Sequence, residues 1–121
     1  LYEAEVRALD PGRQTSRLRL LDTEMEGPHL RGCFLGDRVT LCARPEELQI
    51  TTKPGGNRIR ADLLRLTERT QGVRADFGSE LIVDTSRAGW AVLKDAAGWW
   101  IEIPAASLRQ VATSKPPANR T

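Results

Sequence analysis

Residues able to do chemistry are few in this 121-residue chain, and they are scattered. Its two cysteines, Cys33 and Cys42, stand nine apart, and its single histidine, His29, follows the turn-forming pair Gly27-Pro28. A structural zinc site takes about four ligands in close pairs, which this spacing does not supply, so no metal site is expected. A nucleophile needs a base beside it, and the lone histidine has no serine, cysteine or acid at a recognisable spacing. Glu46-Glu47 are adjacent carboxylates, but directly after Pro45 they fit the positive end of a short helical turn better than acid–base work. Gly55-Gly56 lies in a turn-rich connector, yet the Gly-x-x-x-x-Gly-Lys-Ser/Thr pattern that cradles phosphates is missing there. No catalytic residue and no bound cofactor is expected.

The elements that would position these residues read as short strands. Val39, Leu41 and Ala43 alternate with Arg38, Thr40 and Cys42, the pattern of a half-buried strand with one apolar face. Pro45 cannot donate to a sheet and ends it, so a single short turn precedes Leu48 and Ile50, which return to the core. At the start of the chain, Tyr2, Ala4, Val6 and Ala8 alternate against Glu3, Glu5, Arg7 and Leu9. Asp10-Pro11-Gly12 then turns the chain into Arg17-Leu18-Arg19-Leu20. Short strands around Gly27-Pro28 are expected to be anchored by Phe34 and Leu35. Further on, Leu63-Leu64 interrupts an alternating stretch, which signals a bulge or a strand covered on both sides. Val73, Ala75 and Phe77 give the next strand, and Leu81-Ile82-Val83 another. Ser86 is placed to cap a short helix through residue 93, with Trp90 and Leu93 on its buried face. In the final strand Trp99, Ile101 and Ile103 share the core side, whereas Trp100 stands with Glu102 on the polar side and is an interface candidate. Leu108 and Val111 are expected in the core.

Composition sets the class. With 40% hydrophobic and 28% charged residues, the chain reads as an ordinary globular domain. Its formal net charge is only +2 because acids interleave the arginines, which argues against binding dominated by phosphates, so no nucleic acid is expected. No apolar run approaches the ~20 residues that span a bilayer, and Leu1-Tyr2-Glu3-Ala4 has no leader pattern. The lack of an initiating Met is read as the mark of a piece of a longer protein.

The chain also repeats itself. Gly36, Val39 and Leu41 return as Gly98, Ile101 and Ile103, each 62 positions later, and Ala4-Glu5-Val6 returns as Ala61-Asp62-Leu63 at an offset of 57. Two related units packed together are therefore expected. The first covers about residues 2–50, a linker spans 51–57, and the second covers about 58–111. Together they form a domain over 1–112, with a disordered tail at 113–121.

The run Gly36-Asp37-Arg38-Val39-x-Leu41-x-x-Arg44-Pro45-Glu46-x-Leu48 resembles the TOBE domain, the transport-associated OB-like module of ATP-binding subunits of ABC importers. Ser86 through Leu93, followed by Gly98 and the strand to Ile103, is similar to the second OB-like unit of those subunits and to the molybdate-binding Mop module. This resemblance implies an all-β fold of two tandem OB-like small barrels with one short helix in the second half. It implies a non-catalytic regulatory or dimer-forming module, cytoplasmic and peripheral to the inner membrane. Its partners would be a second copy of the ATPase subunit and, through the parent protein, the permease; ATP and magnesium would belong to a missing upstream domain. Arg44 and Glu46 join Trp100 as interface candidates. Mop-type relatives hold an oxyanion, and Thr85, Ser86 and Arg87 would be the donors here. Gly89 and Pro104 stand where that pattern has a serine and a lysine, however, so molybdate or tungstate is not expected to bind. An oxyanion sensor and an OB-type nucleic-acid binder are the alternative readings.

Overall fold

Alternating apolar residues over the first 20 positions build a hairpin in which β1 (Tyr2–Asp10) pairs antiparallel with β2 (Thr15–Leu20). The computed structural model describes residues 1–113 and continues with β3 (Thr23–Pro28), β4 (Arg38–Cys42) and a 3-10 turn over Pro45–Glu47. Then come β5 (Gln49–Thr51), β6 (Arg58–Ala61), β7 (Arg65–Arg69), β8 (Gly72–Asp76) and β9 (Ile82–Thr85). The helix α1 (Arg87–Leu93), β10 (Trp99–Glu102), a second 3-10 turn over Ala105–Ser107 and β11 (Arg109–Thr113) complete the order. The fold is all-β, small OB-like barrels in tandem with one short helix in the second half, and the strands form three antiparallel sheets. Their orders are β11-β4-β1-β2-β3, β5-β10-β6 and β7-β8-β9.

The repeat read from the sequence takes a specific form. Each copy runs from a strand through a proline into a 3-10 turn, then a buried leucine, then another strand: β4, Pro45–Glu47, Leu48, β5 and again β10, Pro104, Ala105–Ser107, Leu108, β11. The trailing strands are exchanged. β5 pairs with β10 of the second copy, and β11 returns to pair with β4 of the first. The first 3-10 turn packs against β9 and the second against β3. Across one crossing, the Arg109 guanidinium donates two hydrogen bonds to the Glu47 carboxylate, at 2.7 and 2.8 Å. Leu18, Leu20, Met25, Val39, Leu41, Ile101 and Ile103 are fully buried in a core cluster that draws on both halves.

Asn57, in the connector, ties the halves at their junction. Its side-chain oxygen accepts the Glu26 N–H, and its amide donates to the carbonyls of Glu26 and Ile103, each at 2.8 Å. The register places Thr113 opposite Val39 in β11, while the rest of the tail expected at 113–121 lies outside the described residues.

Several side chains sit elsewhere than their alternation predicts, each for a local reason. A bulge in β1 between Val6 and Ala8 shifts parity, so Leu9 turns partly inward and Ala8 outward. A second bulge in β11, between Gln110 and Ala112, leaves Val111 exposed rather than in the core. Leu63-Leu64 falls in a gap between β6 and β7, and Leu64 is 70% exposed instead of covered. Phe34 and Leu35 do not anchor the β3–β4 loop from within; they are 69% and 65% exposed. Leu30 and Cys33 are the buried residues of that loop. Trp99 packs against the core cluster as its alternation predicts, although it is only partly buried, and its indole N–H donates to the Leu93 carbonyl at 2.9 Å. Its ring packs against Phe77 and Trp90, with centroids 6.1 and 5.8 Å away.

Candidate functional site

The sheet β7-β8-β9 ends in a cleft of about 440 Å³ where the first 3-10 turn of the other half leans over it. Glu46 of that turn faces Arg69, Gln71 and Gly72 of the β7–β8 hairpin, with Asp84, Thr85 and Ser86 at the end of β9 completing the lining. Gly72 is required at its place. Its φ is +152°, and a Cβ there would collide with the carbonyl oxygen of Thr85, a backbone atom with no freedom to yield. The close approach of β8 to the end of β9 therefore depends on a residue without a side chain.

Of the six residues singled out from the sequence, the structure brings three together here: Thr85, Ser86 and Glu46. Thr85 is half-buried, and its hydroxyl has no partner among the described residues. Ser86 is the N-cap of α1, its Oγ accepting the Gly89 N–H at 2.9 Å, so this oxygen is already engaged. Arg87 leaves the cleft: its guanidinium donates to the Arg69 carbonyl and lies 3.6 Å from the Glu68 carboxylate. Arg44 stands beside the 3-10 turn, where its backbone N–H donates to Glu47 at 3.3 Å. Trp100 lies on the outer face of β10, with the guanidinium of Arg60, its cross-strand neighbour, 4.9 Å from the ring centroid. Such a cation over an indole satisfies both groups on a half-exposed face. Gly98 leaves the space that the Arg60 guanidinium occupies.

The charges of the cleft are nearly balanced. Arg74 of β8 reaches Asp84 with two parallel hydrogen bonds, Nε to Oδ1 at 2.7 Å and a terminal nitrogen to Oδ2 at 2.8 Å. Those bonds hold the Asp84 carboxyl below the usual carboxylate range, Arg69 lowering it further, and they raise the Arg74 guanidinium, to which Glu46 also contributes. The Arg69 guanidinium enters no ion pair among the described residues. The cleft thus offers a guanidinium, a threonine hydroxyl and the Gln71 amide as donors, facing the carboxylate of Glu46.

Neither Arg69, Gln71 nor Asp84 was singled out by motif. The signal that finds two of them is the repeat itself, carried from apolar to polar positions: Gln14 and Thr15 correspond to Gln71 and Gly72, and Glu26 corresponds to Asp84. Arg69 has no such signal, since Gly12 stands at its counterpart. Among the described residues, no group of three or more His, Cys, Asp or Glu side chains is placed to hold a metal, and both cysteines are free thiols. No helix there is long and apolar enough to cross a membrane. Compared with models of known protein families the chain matches none, and no curated protein matches it significantly.

Proposed function

We propose that this chain is a non-catalytic regulatory and dimer-forming module of the TOBE kind, serving the ATP-binding subunit of an ABC importer on the cytoplasmic side of the membrane. The observation that carries the reading is the reciprocal exchange of β5 and β11 between two copies of one strand–turn–strand unit. A duplicated, strand-exchanged pair of barrels is a rigid body with a continuous core, suited to transmit contacts between larger parts rather than to turn over a substrate. Glu46 on the first 3-10 turn with Arg44 just before it, and Trp100 under Arg60 on the outer face of β10, are the surfaces offered to a second copy. The coding sequence on either side of this chain tests the reading directly. A phosphate-loop lysine and the other ATPase motifs are expected in the same frame; a frame without them overturns it. Deleting the module from such a subunit should leave ATP hydrolysis intact while altering its dependence on transport.

The oxyanion-sensor reading draws on one observation: the Thr85 hydroxyl, without a hydrogen bond, and the Arg69 guanidinium, without an ion pair among the described residues, line a single cleft. It is the weaker of the two, because Glu46 faces the same space and Ser86 Oγ is committed to its helix. Calorimetry with molybdate, tungstate and sulfate decides it, and no heat at millimolar anion removes it.

A further inference from the structure

The internal repeat matches not only apolar positions but one charged pair. Arg17 of β2 corresponds to Arg74 of β8, and Glu26 of β3 corresponds to Asp84 of β9. In both halves the arginine stands directly opposite its acid across neighbouring strands. The second-half pair is closed by two short hydrogen bonds. The first-half pair is open: neither the Arg17 guanidinium nor the Glu26 carboxylate has an ion pair or side-chain hydrogen bond among the described residues. Arg13, in the turn beside them, has a free guanidinium as well.

Two neighbours separate the open pair from the closed one. On its other side Arg74 is flanked by Thr67, while Arg17 is flanked by Ala8, whose small side chain leaves a depression. The charge of Glu46 on the first 3-10 turn acts on Arg74, whereas the corresponding residue of the second turn, Ala106, carries no charge. The result is a cleft of about 460 Å³ lined by Arg13, Arg17, Thr15, Asp10 and Glu26.

We propose that this first-half cleft binds a small zwitterionic solute of the α-amino-acid type, with its carboxylate on Arg17 and Arg13 and its ammonium on Glu26 and Asp10. A simple anion would meet the two carboxylates, and a simple cation the two guanidinium groups; only a ligand carrying both charges satisfies the whole lining. Directly opposed residues of an antiparallel pair have Cβ atoms about 5 Å apart, so the charged ends of Arg17 and Glu26 can converge on a ligand whose own charges lie a few ångströms apart. An α-amino acid is such a ligand. The planar guanidinium fork suits a carboxylate held bidentately, and the Thr15 hydroxyl adds a further donor or acceptor. The proposal stands apart from the transporter reading, since it needs only the first-half cleft.

The experiment is a titration of the full chain with glycine, followed by amide and arginine Nε–H resonances, against sodium acetate and methylammonium chloride at matched ionic strength. So small a ligand binds at about millimolar concentration at best. Saturable shifts confined to residues 8–18 and 25–27, produced by glycine and not by either half-ligand, are expected. Arg17→Gln should weaken the effect about tenfold or more, a difference measurable as a change in midpoint. Arg74→Gln should leave it unchanged, and a dispersed spectrum confirms that either variant is folded. No saturable shift with glycine overturns the proposal, as do equal shifts with acetate alone or shifts that map to the Asp84 cleft.

Discussion

The first meander, β1 to β3, and the second, β7 to β9, solve one packing problem in two ways. Both tuck the third strand under a 3-10 turn sent from the other half, and both make their last hairpin with two left-handed residues, Leu21-Asp22 and Ser79-Glu80. They part at the opening strand. β1 stays in one sheet past its bulge and pairs with both β2 and β4. Its counterpart breaks at residues 62–64, so that β6 joins β10 while β7 goes with β8 alone. Every residue of β7 is consequently exposed. The apolar cover lost there is replaced by α1, whose Trp90 packs at a tilt against Trp99, which in turn meets Phe77 edge-on. One half therefore closes with a continuous strand and aliphatic side chains, the other with a helix and aromatic rings. A bulge preserves pairing at the cost of one unpaired residue, whereas a break releases a strand and demands a new element to cover what it leaves.

The two halves are nonetheless expected to unfold together. Leu41 and Ile103 are counterparts in the repeat, both fully buried. Truncating either to alanine should cost about 3 kcal/mol, the usual range for emptying a packed aliphatic site. Because β5 and β11 each complete the other half's sheet, both variants should shift a single urea transition by similar amounts, seen alike by tryptophan fluorescence and far-UV circular dichroism. Two transitions, each moved by only one of the variants, would show that the halves are independent.

A smaller difference should separate Gly72 from Thr15, its counterpart in the first hairpin. Alanine at 72 meets both an unfavourable φ and the Thr85 carbonyl, so about 2 kcal/mol or more is expected. Thr15→Ala, in ordinary extended backbone, should stay within about 0.5 kcal/mol. Thermal melts of the two variants measure the contrast, and equal losses would mean that the two hairpins are held alike.

Local periodicity made much of this readable. Val39 and Leu41, the stops at Pro45 and Pro104, and the helix from Ser86 to Leu93 follow from alternation and capping alone, and the structure has them in place. Alternation says nothing of a strand's partner, however, so the crossing of β5 and β11 had no local mark. The bulges at Arg7 and Val111 were invisible for the opposite reason: no glycine or proline announces them, and each inverts the faces of the residues that follow. For the site, Thr85 and Ser86 came as oxyanion donors and Glu46 as an interface residue, and the three meet in one cleft. Gln71 and Asp84 belong to no motif and emerge only when the repeat is followed through its polar positions, and Arg69 has not even that mark.

The closed and open charge pairs give a finer test. Arg74→Gln should cost about 1 kcal/mol, modest because the side chain is 36% exposed and solvent screens the pair. Arg17→Gln, which breaks nothing, should be neutral within about 0.5 kcal/mol. A double-mutant cycle of Arg74→Gln with Asp84→Asn isolates the coupling, and the same cycle on Arg17 and Glu26 should return zero. Coupling of equal size in both halves would mean that the first-half pair closes in solution.

The smallest expected effect concerns the two crossings. Glu47 is drawn from the ordinary 4.5 down to about 2, first by its hydrogen bonds from Arg109 and then by the Arg44 backbone N–H. A carboxyl lowered in the folded state binds fewer protons there than in the unfolded chain, so its contribution is complete above about 4.5 and is lost as the pH falls toward 2. The counterpart of Glu47 in the second turn is Ser107, which has no charge to lose. Acid should therefore loosen the β11–β4 crossing, where Arg109 is anchored, before the β5–β10 crossing. Amide exchange followed as the pH drops, after correction for its intrinsic pH dependence, should lose protection first at Gln110 and last at Ile50. Glu47→Gln should abolish that order and flatten the acid limb of the melting curve, while Ser107→Ala should leave both as they are. Simultaneous loss at the two crossings in the unsubstituted chain would mean that the Glu47–Arg109 pair does not hold the fold together locally, and that the second crossing is secured by the shared core alone.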